Sequence, residues 1–225
     1  DVLNAGETGM VLLDSTPFYA ESGGQVGDTG TLTFSSLTQA SGEFAVNDTR
    51  KRQQAFMHVG KLMSGTVKVG DKAVAQVAAE RRKAFMRNHS ATHLMHAALR
   101  TVLGEHVGQK GSVVNAEYLR FDFSHFQKLT EEEITKVEEI VNAKIRENIS
   151  IEIKNNIPMT VDLNLGAMAL VGEKYGGLVR VIKFNDSVEL CGGTHITDSS
   201  ELSKFKIVKE QSSSAGIRRS KAILE

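Results

Sequence analysis

Four side chains stand out for the chemistry they could share. His89 and His93 lie four residues apart in a segment of helical character, which sets both imidazoles on one face, one turn apart. Cys191 and His195 repeat that spacing across Gly192 and Gly193, two glycines that free the backbone to turn and aim both side chains inward. Three imidazoles and a thiolate form a nitrogen-and-sulfur donor set suited to a tetrahedral zinc ion. His96 shares the helical face of His89 and His93 and is the alternative donor. His58, His106 and His125 have no partner at a useful spacing. Cys191 is the only cysteine, so no internal disulfide can form, and an unpaired thiol fits a reducing compartment.

Other chemistries are poorly served. The run His89-Ser90-Ala91-Thr92-His93 lacks the glutamate that acts as general base in the His-Glu-x-x-His metalloproteases. No nucleophile elbow, P-loop or dinucleotide fingerprint occurs in the chain.

The elements that must position these residues read as an α+β protein in two parts. Residues 1–78 alternate short strands with glycine-marked turns, which suits a small β-barrel-like subdomain. Strands are expected at Met10–Leu13, Thr31–Phe34, Phe44–Val46 and Ala73–Val77. A long glycine-bearing loop covers Phe18–Gly30, and Gly60, Gly65 and Gly70 mark turns. Residues 79–225 read as a two-layer α/β sandwich on a mainly antiparallel sheet. A helix should run from near Glu80 to Leu103 and stop before Gly104. A strand follows at Tyr118–Phe123. Thr130 and Glu133 then form a capping box, with Leu129 as the outer half of a hydrophobic staple, ahead of a helix that buries Ile134, Val137, Ile140, Val141 and Ile145. A strand at Ile149–Ile153 comes next. Pro158 and Gly166 bracket a short strand and the start of a third helix, and strands at Leu178–Phe184, Phe205–Lys209 and Ile217–Leu224 complete the sheet.

The 225 residues carry 27 basic and 27 acidic side chains, so formal net charge is zero and no bulk basic excess grips nucleic acid. RNA contact must rest on local patches or on another part of a larger protein. No apolar run approaches the roughly 18 residues that span a bilayer, and no signal-peptide pattern opens the chain. No membrane partner is expected, and the cytoplasm is the expected location. The start at Asp1 without Met is read as that of a fragment.

Three stretches together resemble the editing domain of bacterial alanyl-tRNA synthetase: Phe18–Gly30, Arg87–Arg100 and Glu189-Leu190-Cys191-Gly192-Gly193-Thr194-His195. Gly172-Glu173-Lys174-Tyr175-Gly176 and Ala215-Gly216-Ile217-Arg218-Arg219 support the match, and the resemblance spans essentially the whole chain. Freestanding AlaX-type deacylases share the metal motifs and, in longer forms, the glycine-rich loop. Val171 stands where the family usually has Phe, and Ser220-Lys221 where a more apolar residue is usual.

The resemblance implies hydrolysis of the ester joining serine or glycine to the 3′ end of tRNA(Ala). It further implies Zn2+ on His89, His93, Cys191 and His195, and the remainder of the synthetase, with its ATP-dependent ligase activity, in cis. Thr92 matches the family's pocket threonine and Gln25 its loop glutamine, so both are catalytic candidates. Gly23 and Gly24 would let backbone N–H groups approach the substrate. Arg81, Arg82, Lys83, Arg87, Arg218 and Arg219 are candidates for phosphate contacts. Two alternatives remain: a freestanding deacylase of the same chemistry, and a zinc-stabilised RNA-binding module without activity.

Overall fold

The computed structural model describes residues 2–35, 42–158, 178–184 and 187–225. The chain divides into two compact units, one of residues 1–22 and 26–83, the other of residues 23–25 and 84–225.

Among the described residues up to Val77, the regular elements of the first unit are all strands. These are β1 (Val2–Asn4), β2 (Thr8–Leu12), β3 (Gly30–Ser35), β4 (Glu43–Arg52), β5 (Ala55–Ser64), β6 (Thr66–Lys68) and β7 (Lys72–Val77). They form an antiparallel five-stranded sheet in the order β2-β5-β4-β3-β7, while β1 pairs with β6. Alternation drives the burial: Leu32 and Phe34 of β3 point into a cluster with Phe18, Phe44, Val46, Leu62 and Val67, while Thr33 and Ser35 are exposed. The expected barrel does not close among the described residues, because closure would need its outer strands β2 and β7 to pair, and they do not.

The longest hairpin of the unit, β4-β5, turns at Gln53-Gln54, with Gln53 at φ 55° and Arg52 opposite Ala55. Such a turn normally advertises itself by Asn-Gly or Asp-Gly, which explains why the sequence shows only its first residues. Gly60, expected at a turn, instead lies inside β5. A Cβ there would sit 1.8 Å from the Ala45 carbonyl oxygen, so the glycine permits close approach of two strands where their register shifts.

His58 is buried in this unit. Its Nδ1 lies 2.9 Å from the Val11 carbonyl, which can only accept, so Nδ1 carries the proton and Nε2 accepts from the Thr16 hydroxyl at 2.7 Å. Burial, partly offset by the Val11 carbonyl, lowers the His58 pKa below 6.5. The unfolded chain therefore takes up this proton first, and the His58 contribution to stability is lost as pH falls below about 6.5. A His58→Asn variant should show a smaller drop in Tm than wild type between about pH 7.5 and 5.5; equal drops would refute this assignment.

Helix α1 (Ala79–Leu103), which belongs to the second unit from Ala84 onward, is followed there by β8 (Gln109–Val114), β9 (Leu119–Ser124) and α2 (Glu131–Arg146). Then come β10 (Ile151–Pro158), β11 (Leu178–Phe184), β12 (Ser187–Leu190), β13 (Phe205–Ser214) and β14 (Ile217–Leu224). Helix α1 stops at Gly104, whose φ of 114° suits glycine and whose N–H bonds the Arg100 carbonyl. Every residue from Asn88 to His96 is buried, so α1 runs through the interior, and its histidines are core residues rather than surface ones. Helix α2 starts as its sequence dictates, with both halves of the Thr130/Glu133 capping box formed and Leu129 buried. It buries Val137, Val141 and Ile145 in one stripe.

The single sheet expected here is two antiparallel ones among the described residues, β13-β14-β9-β8 and β10-β11-β12. The chain leaves β12 at Leu190 and runs without ladder pairing through Cys191–Thr197 before β13 begins. The expected third helix and the Gly172–Gly176 motif, like Val171, lie outside the described residues. No helix among the described residues is long and apolar enough to cross a membrane.

Candidate metal centre

Helix α1 and the loop after β12 bring His89, His93, Cys191 and His195 together in the second unit. All four are buried, and one donor atom from each lies within 4.8 Å of the others. His89 Nε2 and His195 Nε2 each stand 3.3 Å from Cys191 Sγ. Metal bonds of about 2.0 Å to nitrogen and about 2.3 Å to sulfur place tetrahedral ligands roughly 3.3 to 3.7 Å apart. The donors are therefore spaced to share one ion.

The outward ring nitrogens explain why the inward ones are free. Gln25 Oε1 accepts the Thr194 backbone N–H at 3.0 Å, which fixes that atom as oxygen rather than nitrogen. It can then only accept from His89 Nδ1, 2.8 Å away, which leaves the His89 Nε2 lone pair facing Cys191. The Gln25 amide is locked from its other end by Nε2 donating to Thr194 Oγ1 at 2.9 Å. Glu189 Oε2 accepts from His93 Nδ1 at 2.5 Å, and His93 Nε2 is a buried polar atom with no partner. Ser90 Oγ stands 3.1 Å from His195 Nδ1 and receives the Ile196 N–H at 3.3 Å. Three imidazoles thus turn Nδ1 to a fixed neighbour and Nε2 to the centre, the usual setting of histidine ligands. The orphaned His93 Nε2 and the donor chemistry together fit a metal ion.

The electrostatics agree. Burial alone would raise the Cys191 thiol, yet His89, His195 and His93 around it hold it well below its ordinary range, as a thiolate ligand requires. Burial and the neighbouring His89 push His195 down to about 3, which keeps a lone pair available. Burial also works against protonated His93, but Glu189 outweighs it and raises the group to about 10. The proton favoured there occupies the place that a cation would take.

Glycines make room for this packing. A Cβ on Gly193 would lie 2.0 Å from His89 Cε1, whereas one on Gly192 would meet nothing within 4 Å. Gly193 is needed for the close approach of His89, beyond any freedom it lends the backbone to turn. Gly23 (φ 58°) and Gly24 (φ 84°) do adopt the left-handed region, and a Cβ on Gly24 would meet the Ser112 carbonyl oxygen at 2.4 Å. Val114 N–H bonds the Gly24 carbonyl at 2.7 Å, which anchors Gln25 beside His89. Arg180 braces the metal loop by donating to the Cys191 carbonyl at 3.1 Å and to that of Gly193.

Next to the donors lies a cavity of about 10 Å³, the size of one water, lined by Gly23, Thr92, His96, Gln109, Ser112 and Glu189 with His89 and His93. Thr92 Oγ1 donates to the Asn88 carbonyl at 2.8 Å, one turn back in α1. His96 stands outside the donor group, with Nδ1 at 3.5 Å from Glu189 Oε1.

The basic candidates lie elsewhere. Arg82 is committed to the buried carboxylate of Asp28 and to the Pro17 carbonyl, and Lys83 pairs with Glu80 at 3.1 Å. Arg218 forks onto Glu210 and Arg219 onto Asp122, and neither lines the cavity. Glu189, Ser90 and Arg180 are site residues that spacing did not single out, although for Glu189 an acid between Val188 and Leu190, two residues before the only cysteine, is a legible signal. Replacement of Glu189 by Gln should weaken metal binding about 10- to 100-fold in chelator competition. Wild-type affinity would show that the carboxylate is dispensable to the site.

Two family comparisons bear on this centre. Residues 1–81 match the family described as tRNA synthetases class II (A). Residues 179–219, which include Cys191 and His195, match the second additional domain of threonyl and alanyl tRNA synthetases. Both matches are to aminoacyl-tRNA synthetase families, and together they support an editing domain of the alanyl-tRNA synthetase type.

Proposed function

We propose that the chain hydrolyses the ester of Ser-tRNA(Ala) and Gly-tRNA(Ala), using Zn2+ held by His89, His93, Cys191 and His195, as part of an alanyl-tRNA synthetase. The observation that carries this reading is the buried donor set, with three Nε2 atoms and one thiolate converging beside a water-sized cavity. A zinc ion there would supply Lewis-acid charge for the substrate's carbonyl or amino group. His89, His93, Cys191 and His195 would hold the ion, and with four protein donors on it the chain's own polar groups carry most of the positioning of water and substrate.

Selectivity follows from the cavity. The synthetic pocket for alanine rejects an added hydroxyl only about a hundredfold, whereas a site built around that hydroxyl can discriminate by about 10⁴. Thr92 spends its proton on the Asn88 carbonyl, so its oxygen is left as an acceptor beside the cavity. The hydroxyl of serine would fill the water-sized space and donate to Thr92, and glycine would leave a water in place. The methyl of alanine would displace that water without replacing its hydrogen bonds, which is costly. Gln25 acts through His89, holding its tautomer, and Gly23 and Gly24 let the loop backbone come close to the substrate.

The test is deacylation of Ser-tRNA(Ala) by the chain, with and without chelator. Hydrolysis that stops on chelation and returns with Zn2+ supports the reading. A metal-loaded chain that leaves the ester intact would overturn it and favour an inactive RNA-binding module. Thr92→Val should reduce the preference for Ser-tRNA over Ala-tRNA by about tenfold or more; an unchanged ratio of deacylation rates would remove Thr92 from the selectivity account.

A further inference from the structure

The sheet β13-β14-β9-β8 buries Leu119, Phe121, Phe123, Ser220 and Ala222 on one face. Alternation sends Arg120, Asp122, Arg219 and Lys221 to the opposite face, and beyond the β13 register shift Lys209 and Gln211 join them. Lys209 stands opposite Lys221, and Lys221 opposite Arg120, so three cations occupy one row across three adjacent strands. Like charges placed directly opposite destabilise a sheet. Nothing in the hydrophobic core requires them on this face.

The row has little internal neutralisation. The one carboxylate of the cluster, Asp122, is forked by Arg219 at 2.7 Å through both oxygens. Arg120 Nε is buried with no hydrogen-bond partner and lies 3.5 Å from Asp122. Lys209 and Lys221 have no carboxylate partner among the described residues, and Lys221 Nζ is held 3.8 Å over the ring of Tyr118. Tyr118, Arg120, Lys209, Gln211, Arg219 and Lys221 line one open depression.

We infer that this face of the four-stranded sheet binds the phosphate backbone of an RNA strand. At the spacing of neighbouring strands, the row spans about 10 Å and can meet successive phosphates. The anion relieves the mutual repulsion of the lysines and meets the exposed part of the Arg120 side chain. Tyr118 fixes the direction of Lys221 and offers an aromatic edge to a base. The assignment rests on the reading of the metal centre as acting on an RNA-borne ester, and it gives a chain of zero net charge the local patch that such a role needs.

The test uses uncharged tRNA, which carries no ester, so it is independent of hydrolysis. Fluorescence anisotropy at several salt concentrations compares the chain with Lys209→Gln/Lys221→Gln. The control is Lys128→Gln/Lys136→Gln, which removes the same charge from elsewhere. The face variant should bind about tenfold more weakly, with a log–log salt slope shallower by about two, while the control stays near wild type. Both variants should keep the wild-type Tm or exceed it. No binding by wild type at low salt, an unchanged slope in the face variant, or an equal loss in the control overturns the proposal. Polyglutamate bound as tightly as tRNA and lost in the same variant also overturns it, in favour of an acidic protein partner. If deacylation fails while the face binds RNA as described, the catalytic reading falls and this one stands.

Discussion

Cys191→Ala is expected to lose metal at least a hundredfold more readily than wild type, and to lose with it the difference that chelator makes to thermal stability. Cys191 Sγ is the hub of the cluster, 3.3 Å from both His89 Nε2 and His195 Nε2. It is also the only anionic donor among the four. Without it three imidazoles remain as donors, and only the Glu189 carboxylate behind His93 is left to offset the ion's charge in a buried site. Binding to the folded chain alone stabilises it by RT ln(1 + [L]/Kd), about 2.7 kcal/mol at a hundredfold excess over Kd. Chelation should therefore lower the Tm of wild type and leave that of Cys191→Ala nearly unmoved. Metal content, competition with a chromogenic chelator and thermal melts measure all three quantities. A variant that kept one ion per chain at wild-type affinity would show that these residues do not form the site.

The second large effect involves no ligand at all. Gly193→Ala keeps every donor, yet its Cβ would lie 2.0 Å from His89 Cε1 and 2.3 Å from Nδ1. The ring cannot step aside cheaply. Nδ1 is held by Gln25 at 2.8 Å, and the ring is stacked on His93 with centroids 5.3 Å apart. Either His89 leaves the cluster or the loop carrying Cys191 and His195 moves away. Both outcomes should weaken metal binding about a hundredfold, comparable with removal of a ligand or its supporting partner. Gly192→Ala is the matched control, because a Cβ there meets nothing within 4 Å, and its affinity should remain within about threefold of wild type. Equal affinities for the two variants would mean that the metal loop is far more yielding than its contacts indicate.

These two predictions separate what was legible in the chain from what was not. Donor types and the repeated spacing of four were enough to single out four candidate donors, with His96 as an alternative, because helical periodicity and a lone cysteine are local properties of sequence. The bounds of α1 and the capping box of α2 were legible for the same reason, since caps and glycine stops act within one turn. The β4-β5 hairpin was not, because Gln53-Gln54 carries no turn signature and its pairing is decided across strands.

The sequence by itself thus marked out the candidate donors, the two helices and the α+β class. Only the tertiary structure decided that Gln25, Glu189 and Ser90 turn each imidazole toward the centre, and that Gly193 is a point of close approach to His89. It alone set Lys209, Lys221 and Arg120 in one row. The physical reason is range. Spacing encodes which face of an element a residue occupies, whereas ring orientation, close approach and cross-strand rows depend on partners that the chain brings in from about a hundred residues away.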